Sequence, residues 1–228
     1  AGATNLLRPT NVLLYYITDR TQLAANEPDR RAKLLARIGE AARSDVDYIQ
    51  LREKDLTAHE LESLAREAVR AVRDHSSRTR LLINTRTDVA LAVGADGVHL
   101  RADDVPASDA RALLAGLRQR QMLVAVSCHS LSEVVRAEAG GANFAVFGPI
   151  VQTPAGDAHA GQSAVGLAGL REVCERTALT VQRMPVLALG GVTTENAPQC
   201  VKAGAAGVAG IRLFQENVIA DVLGKLRN

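Results

Sequence analysis

Eight short apolar runs of β type alternate with eight helix-like stretches along this chain, and nothing else in it restricts the fold so tightly. The runs are Val12–Thr18, Val46–Arg52, Arg80–Asn84, Gly97–Leu100, Leu123–Ser127, Asn143–Gly148, Val186–Leu189 and Gly207–Ile211. Helical patterns fall between and after them, near 29–43, 57–75, 87–93, 107–118, 130–140, 166–178, 194–203 and 215–226. Their N-terminal ends carry capping signals. Thr57-Ala58-His59-Glu60 reads as a capping box, and Ser130 to Glu133 and Thr193 to Asn196 give weaker versions.

Three segments repeat one design: Ala92 to Val98, Ala139 to Ala145 and Lys202 to Val208. Each is a helix end, a glycine and a tight turn into a buried strand. Such a unit, repeated, stacks helices around a parallel sheet. Eight units in 228 residues predict an α/β fold of the (β/α)8 TIM barrel type, for which about 250 residues is typical. A doubly wound open sheet is the competing architecture, but no G-x-G-x-x-G follows the first strand. The expected organisation is an N-terminal extension over 1–11 and one barrel domain over 12–228.

Composition narrows the partners. A net charge of +2, 3% aromatic residues and no basic cluster argue against nucleic acid. No apolar run approaches the roughly 20 residues of a membrane span, and the first residues do not read as a signal peptide. Cys128, Cys174 and Cys200 lack metal-ligand spacing, so reduced thiols in a cytoplasmic protein are expected. A homo-oligomer is compatible with the sequence.

The hexapeptide Gln50-Leu51-Arg52-Glu53-Lys54-Asp55 stands at the end of the second run. Successive strand side chains point to opposite faces, so Gln50, Arg52 and Lys54 project together, away from Leu51 and Glu53. An amide, a guanidinium and an ammonium on one face suit phosphate or diphosphate. Lys54 is one of only four lysines in an arginine-rich chain, so it stands out from the background. The alternative is a solvated strand end.

In (β/α)8 barrels the reactive groups lie at the C-terminal ends of the strands. That rule gathers Gln50, Arg52 and Lys54 with Asn84, His99, Asp104, Ser127, His129, Thr153, Gly190, Gly191 and Gly210. Glycines after the seventh and eighth strands let backbone N–H groups approach an oxyanion. Gly190-Gly191 with Gly210 therefore reads as a phosphate cup, across the mouth from the Arg52–Lys54 clamp. Two anion sites in one mouth suit a diphosphate or two phosphorylated small molecules. The alternative for these glycines is a purely structural role in tight turns.

At these residues the chain resembles the thiamine phosphate synthase family, including its thiazole tautomerase branch. The matching segments are Tyr16 to Asp19, Gln50 to Asp55, Ile83-Asn84, Ala90 to Leu100, Ser127 to Ser130, Phe147 to Ile150, Gly190-Gly191 and Gly207 to Ile211. The resemblance implies an enzyme of thiamine biosynthesis. It would join hydroxymethylpyrimidine diphosphate to a thiazole phosphate, release diphosphate and use magnesium. By the same resemblance Gln50, Arg52 and Lys54 hold the pyrimidine diphosphate, with Asn84 beside them. Ser127 touches the pyrimidine, Asp104 supplies a metal carboxylate, and Gly190, Gly191 and Gly210 hold the thiazole phosphate. Lys54, Ser127 and His129 are the expected catalytic residues, with His99 and Thr153 among the substrate-binding ones.

Two positions depart from the synthase pattern. Thr85 stands where that pattern has a second magnesium carboxylate. Gly156, in the run Thr153-Pro154-Ala155-Gly156, stands where it has a lysine that closes over diphosphate. A tautomerase, using the histidine of the Ser-x-His-Ser context for proton transfer on carboxythiazole phosphate, is the alternative activity. A barrel that binds thiazole or thiamine phosphate without catalysis is another alternative. His129 could also be a hydrogen-bonded histidine near a helix N-terminus, His99 an interior hydrogen-bonding residue, and Cys128 a packed small one. The stretch 154–165, which contains His159, reads as a lid.

Overall fold

Each apolar run becomes one strand. In the computed structural model, which describes residues 12–119, 121–152 and 163–227, these are β1 Leu13–Ile17, β2 Tyr48–Leu51, β3 Arg80–Asn84, β4 Gly97–Leu100, β5 Leu123–Cys128, β6 Phe144–Phe147, β7 Val186–Ala188 and β8 Gly207–Gly210. All neighbours pair in parallel, and β8 returns to β1 through Leu13↔Gly207 and Tyr16↔Gly210, which closes the barrel. That closure confirms the (β/α)8 expectation. The expected extension over 1–11, Thr153, Gly156, His159 and most of the expected lid lie outside the described residues.

The helices are α1 Glu27–Arg43, α2 Ala58–Arg73, α3 Thr87–Val93, α4 Ala107–Gly116, α5 Leu131–Ala139, α6 Gly166–Ala178, α7 Ala197–Lys202, α8 Arg212–Gln215 and α9 Ile219–Arg227. At α2 the capping box forms in full, with Thr57 Oγ1 accepting from Glu60 N and Glu60 Oε2 accepting from Thr57 N at 2.8 Å. The three repeated turns end α3, α5 and α7, with Gly94, Gly141 and Gly204 in the left-handed region. The pattern near 215–226 predicts one helix, but the structure has two. Arg37 donates to the carbonyls of Phe214, Gln215 and Asn217, and Asn217 donates to Leu213 O. Those bonds end α8 before α9 begins.

Period-2 alternation divides the core into two layers. Leu14, Ile49, Leu51, Val98 and Val208 face outward and pack with Leu34, Ile38, Leu64 and other helix residues. Tyr15, Leu82, Ala125, Phe144, Val146, Leu187 and Ala209 fill the barrel interior. The interior is therefore packed rather than hollow, and the large cavity among the described residues lies at the C-terminal ends of the strands. Among the described residues no helix is long and apolar enough to cross a membrane.

Candidate active site

A cavity of about 1030 Å³ opens at the C-terminal ends of the strands. Pockets for one drug-sized ligand span roughly 300–1,000 Å³, so this one has room for two small substrates. Gln50, Arg52, Lys54, Asn84, Ser127 and His129 line it together with Gly190, Gly191 and Gly210. The alternation inferred for 50–55 holds. Leu51 lies in the outer core layer, and Glu53 is buried against the first β–α loop.

Glu53 and Asp55 anchor the clamp. Thr18 Oγ1 donates to Glu53 Oε1 at 2.5 Å, and the Arg20 backbone N–H donates to Oε2 at 3.0 Å. Arg20, 2% exposed, grips Asp55 with two bonds of 2.6 and 3.1 Å and reaches Glu53 and Glu27 as well. Thr18 Oγ1 also accepts from Arg52 N at 3.0 Å. The acidic half of the hexapeptide thus fixes its backbone, and the basic half is left for a ligand. Among the described residues, neither the Arg52 guanidinium nor the Lys54 ammonium has a hydrogen-bond or ion-pair partner. Burial, then Arg52 and Arg101, lowers the Lys54 ammonium pKa. The wall carries unneutralised positive charge.

Behind Ser127 runs a buried chain. The Tyr15 hydroxyl lies 2.8 Å from His99 Nδ1, and His99 Nε2 lies 2.8 Å from Ser127 Oγ. Burial keeps the Tyr15 phenol protonated, and among the described residues His99 Nδ1 is the one hydrogen-bond partner of its hydroxyl, so donation to Nδ1 is what leaves no buried hydrogen unpaired. Nε2 then carries the ring proton and donates to Ser127, whose own hydrogen is left for the cavity. Burial, aided by Arg52, pushes the His99 pKa down to about 3. His99 does not line the cavity; it sets the orientation of Ser127, which does.

The His99 shift has a measurable consequence. An unfolded histidine takes a proton near pH 6.5, whereas this one, folded, holds out to about 3. Between those values the unfolded state binds more protons, so stability falls as pH falls. The slope is about 1.4 kcal/mol per pH unit below pH 6.5. Urea titrations at pH 7 and pH 5 should show a loss of about 2 kcal/mol in the wild type that is absent from His99→Gln. Equal losses in both proteins would contradict the assignment.

Gln50 Nε2 donates to Asn84 Oδ1 at 2.9 Å, and Asn84 Nδ2 donates to Thr85 Oγ1 at 3.0 Å. Gln50 is 2% exposed and its carbonyl oxygen remains for a ligand amino group. Thr85 has φ +65°, a region that β-branched residues seldom occupy. His129 lines the cavity, with Nδ1 2.6 Å from Gly148 O and its backbone N–H donating to Glu133 Oε2 at 2.5 Å. It is both a lining residue and a hydrogen-bonded one near the start of α5.

The glycine cup has the required backbone. Gly190 and Gly191 have φ of +88° and +66°, and a Cβ on them would meet Pro149 at 2.6 Å and Val151 at 2.7 Å. Among the described residues, the N–H groups of Gly191, Val192 and Ile211 donate to no acceptor. The cup and the clamp share one mouth without being strictly opposite. Closure puts Gly210, on β8, two strands from the clamp on β2, and Gly190-Gly191, after β7, three strands away.

Asp104 requires a correction. It does not line the cavity: Oδ2 turns back to accept from Arg101 N at 2.7 Å. Asp103 lines it instead, paired with Arg101 through Nε–Oδ1 at 2.8 Å. Among the described residues no three carboxylate, histidine or cysteine side chains gather as a metal site. Sequence reasoning also missed Arg20, Tyr15 and Arg101. The alternation that selected Gln50 and Arg52 runs equally through Gly97, His99 and Arg101, and would have flagged the last.

The model of the family described as thiamine monophosphate synthase matches residues 14–214. A Geobacter sulfurreducens relative, provisionally named a thiamine-phosphate synthase, is 43% identical over 86% of this chain and 83% of its own length. The thiamine-phosphate synthase of Methanospirillum hungatei is 37% identical over 86% of each chain. Among solved structures, the thiamine phosphate pyrophosphorylase of Pyrococcus furiosus superposes with a TM-score of 0.75 at 28% identity, covering 97% of this chain and 96% of that one. A 3-hexulose-6-phosphate synthase at 22% identity and TM-score 0.65 shares the barrel. With a matched model over most of its length and relatives above 30% identity, the chain belongs to the thiamine monophosphate synthase family.

Proposed function

We propose that this protein forms thiamine phosphate from hydroxymethylpyrimidine diphosphate and a thiazole phosphate, releasing diphosphate. The observation that carries this reading is one cavity with room for both substrates, lined by unpartnered Arg52 and Lys54 and by the Gly190-Gly191 cup. The thiazole phosphate sits on the free N–H groups of the cup. The diphosphate lies against Arg52 and Lys54. Gln50 and Ser127 take the pyrimidine edge, the first through its oxygen and the second through its hydroxyl hydrogen.

In the reaction the bond from the pyrimidine methylene to diphosphate breaks, and a bond from that carbon to the thiazole nitrogen forms. Loss of diphosphate leaves a cation that the pyrimidine amino group stabilises. The main task of the protein is therefore to neutralise the leaving group, and the Arg52–Lys54 wall is already charged for it.

Magnesium fits only in part. With no protein cage among the described residues, it would take most ligands from diphosphate oxygens and water, as this ion commonly does. Asp19 and Asp103, which line the cavity, are the carboxylates that could complete its shell. The ion would add charge neutralisation on the leaving group. The buried, unpaired thiols of Cys128, Cys174 and Cys200 suit a reducing cytoplasm.

The test supplies purified protein with both substrates and magnesium. Thiamine phosphate and diphosphate should appear in equal amounts, and no product at micromolar enzyme overturns the reading. One observation favours a second activity: Thr85, fastened to Asn84, replaces a carboxylate of the synthase pattern while His129 lines the cavity. A metal-independent proton shift on carboxythiazole phosphate, abolished in His129→Ala, would establish tautomerisation instead.

A further inference from the structure

We infer that Arg101 is a third cation of the diphosphate site, held by Asp103 while the site is empty and transferred to the leaving group when substrate binds. The inference rests on the thiamine phosphate reading above and adds to it a residue that lies just beyond the family-like segment ending at Leu100.

Geometry places Arg101 there. It follows His99 by two positions, as Arg52 follows Gln50, so each lies one alternation past an inward side chain. The β3–β4 register pairs Asn84 with His99, and the cavity takes in Asn84, Arg101 and Asp103 on that side. Asp104 pins the Arg101 backbone by accepting its N–H at 2.7 Å. The side chain can therefore change partner while its origin stays fixed.

The partner it holds is easily exchanged. Asp103 binds the guanidinium in a two-pronged pair, Nε–Oδ1 at 2.8 Å with Nη2–Oδ2 beside it. Yet the two side chains are 53% and 68% exposed, and an ion pair so open to water contributes little. A diphosphate offers the same two-pronged geometry with more charge. The Arg101 charge already acts on both Arg52 and Lys54, so the three cations share one field. Asp103 and Asp19 offset part of this charge, yet, in addition to burial, Arg101 still lowers the pKa of both Arg52 and Lys54, and a bound polyanion relieves that repulsion. Gly156 leaves the chain without the lysine that the synthase pattern uses over diphosphate, and Arg101, directly after β4, supplies a cation instead.

Calorimetric titration with inorganic diphosphate tests this, with and without magnesium, on wild type, Arg101→Gln and Asp103→Asn. Arg101→Gln should weaken diphosphate about 10- to 100-fold, the loss of one charged hydrogen-bonding partner. Its melting temperature and its KM for the thiazole phosphate should stay near wild type. Asp103→Asn, which frees the guanidinium, should bind diphosphate without magnesium at least as tightly as wild type. Unchanged diphosphate affinity in Arg101→Gln overturns the proposal. Equal weakening in both variants also overturns it, because the ion pair would then merely hold the loop. A wild type that binds no diphosphate does the same. The turnover assay separates the two readings. Product formation with an unaltered Arg101→Gln removes only Arg101, whereas selective loss of diphosphate binding in an enzyme that makes no product removes only the reaction.

Discussion

Arg20→Ala is expected to destabilise the protein by about 3–5 kcal/mol, the range for removing one partner of a buried ion pair. Domains of this kind hold about 5–15 kcal/mol in total. A midpoint shift of about 10 °C should follow in a chain of this size. Arg20 is 2% exposed and Glu53 6% exposed, so loss of the guanidinium strands a carboxylate that only Thr18 Oγ1 and one N–H still satisfy. Burial already raises the Glu53 pKa, with the Thr18 and Arg20 hydrogen bonds opposing it. In the variant the rise is larger. A raised carboxyl pKa means the folded state binds more protons than the unfolded one, so the sign follows: the variant should lose stability as pH rises above the ordinary carboxylate range. Urea titrations at pH 5 and pH 8 read both effects, and Arg20→Ala/Glu53→Gln should recover part of the loss. A loss below about 1 kcal/mol would show that the pair behaves like a surface ion pair.

The strands were legible because short apolar runs alternate with helical patterns, helped by glycine turns before β4, β6 and β8 and by capped starts at α2 and α5, which are all local signals. The same holds for the clamp, since alternation along a strand is local too. Arg20 was not legible, because its partners Glu53 and Asp55 lie 33 and 35 residues away and charge pairing across a fold leaves no periodic trace. The break between α8 and α9 escaped for the same reason, being made by Arg37 from α1. Asp104 was assigned from the family pattern, but the orientation of a carboxylate depends on whichever N–H it meets in its turn. How far the cup stands from the clamp depends on the closing β8–β1 pair, which sets Gly190-Gly191 three strands from β2 and Gly210 two, and no local pattern carries that closure.

Arg52→Gln and Lys54→Gln are each expected to lower kcat/KM by about 10²–10³-fold, the usual effect of deleting one preorganised group that stabilises developing charge. The two should separate by pH. Lys54 must be charged to hold the leaving group, and its pKa is lowered first by burial and then by Arg52 and Arg101. Its charged form is therefore lost at a lower pH than in a free lysine, and kcat/KM for the pyrimidine diphosphate should fall on the alkaline side through that lowered value. Removing the Arg52 charge relieves part of the depression, so the alkaline limb of Arg52→Gln should move to higher pH even as the plateau drops. Lys54→Gln should lose the limb altogether. The KM for the thiazole phosphate, proposed to sit on the Gly190-Gly191 cup three strands away, should change little in either variant. Profiles from pH 7 to pH 10.5 decide it: an alkaline limb that persists unchanged in Lys54→Gln would belong to another group, and Lys54 would then not be the cation that takes the diphosphate charge.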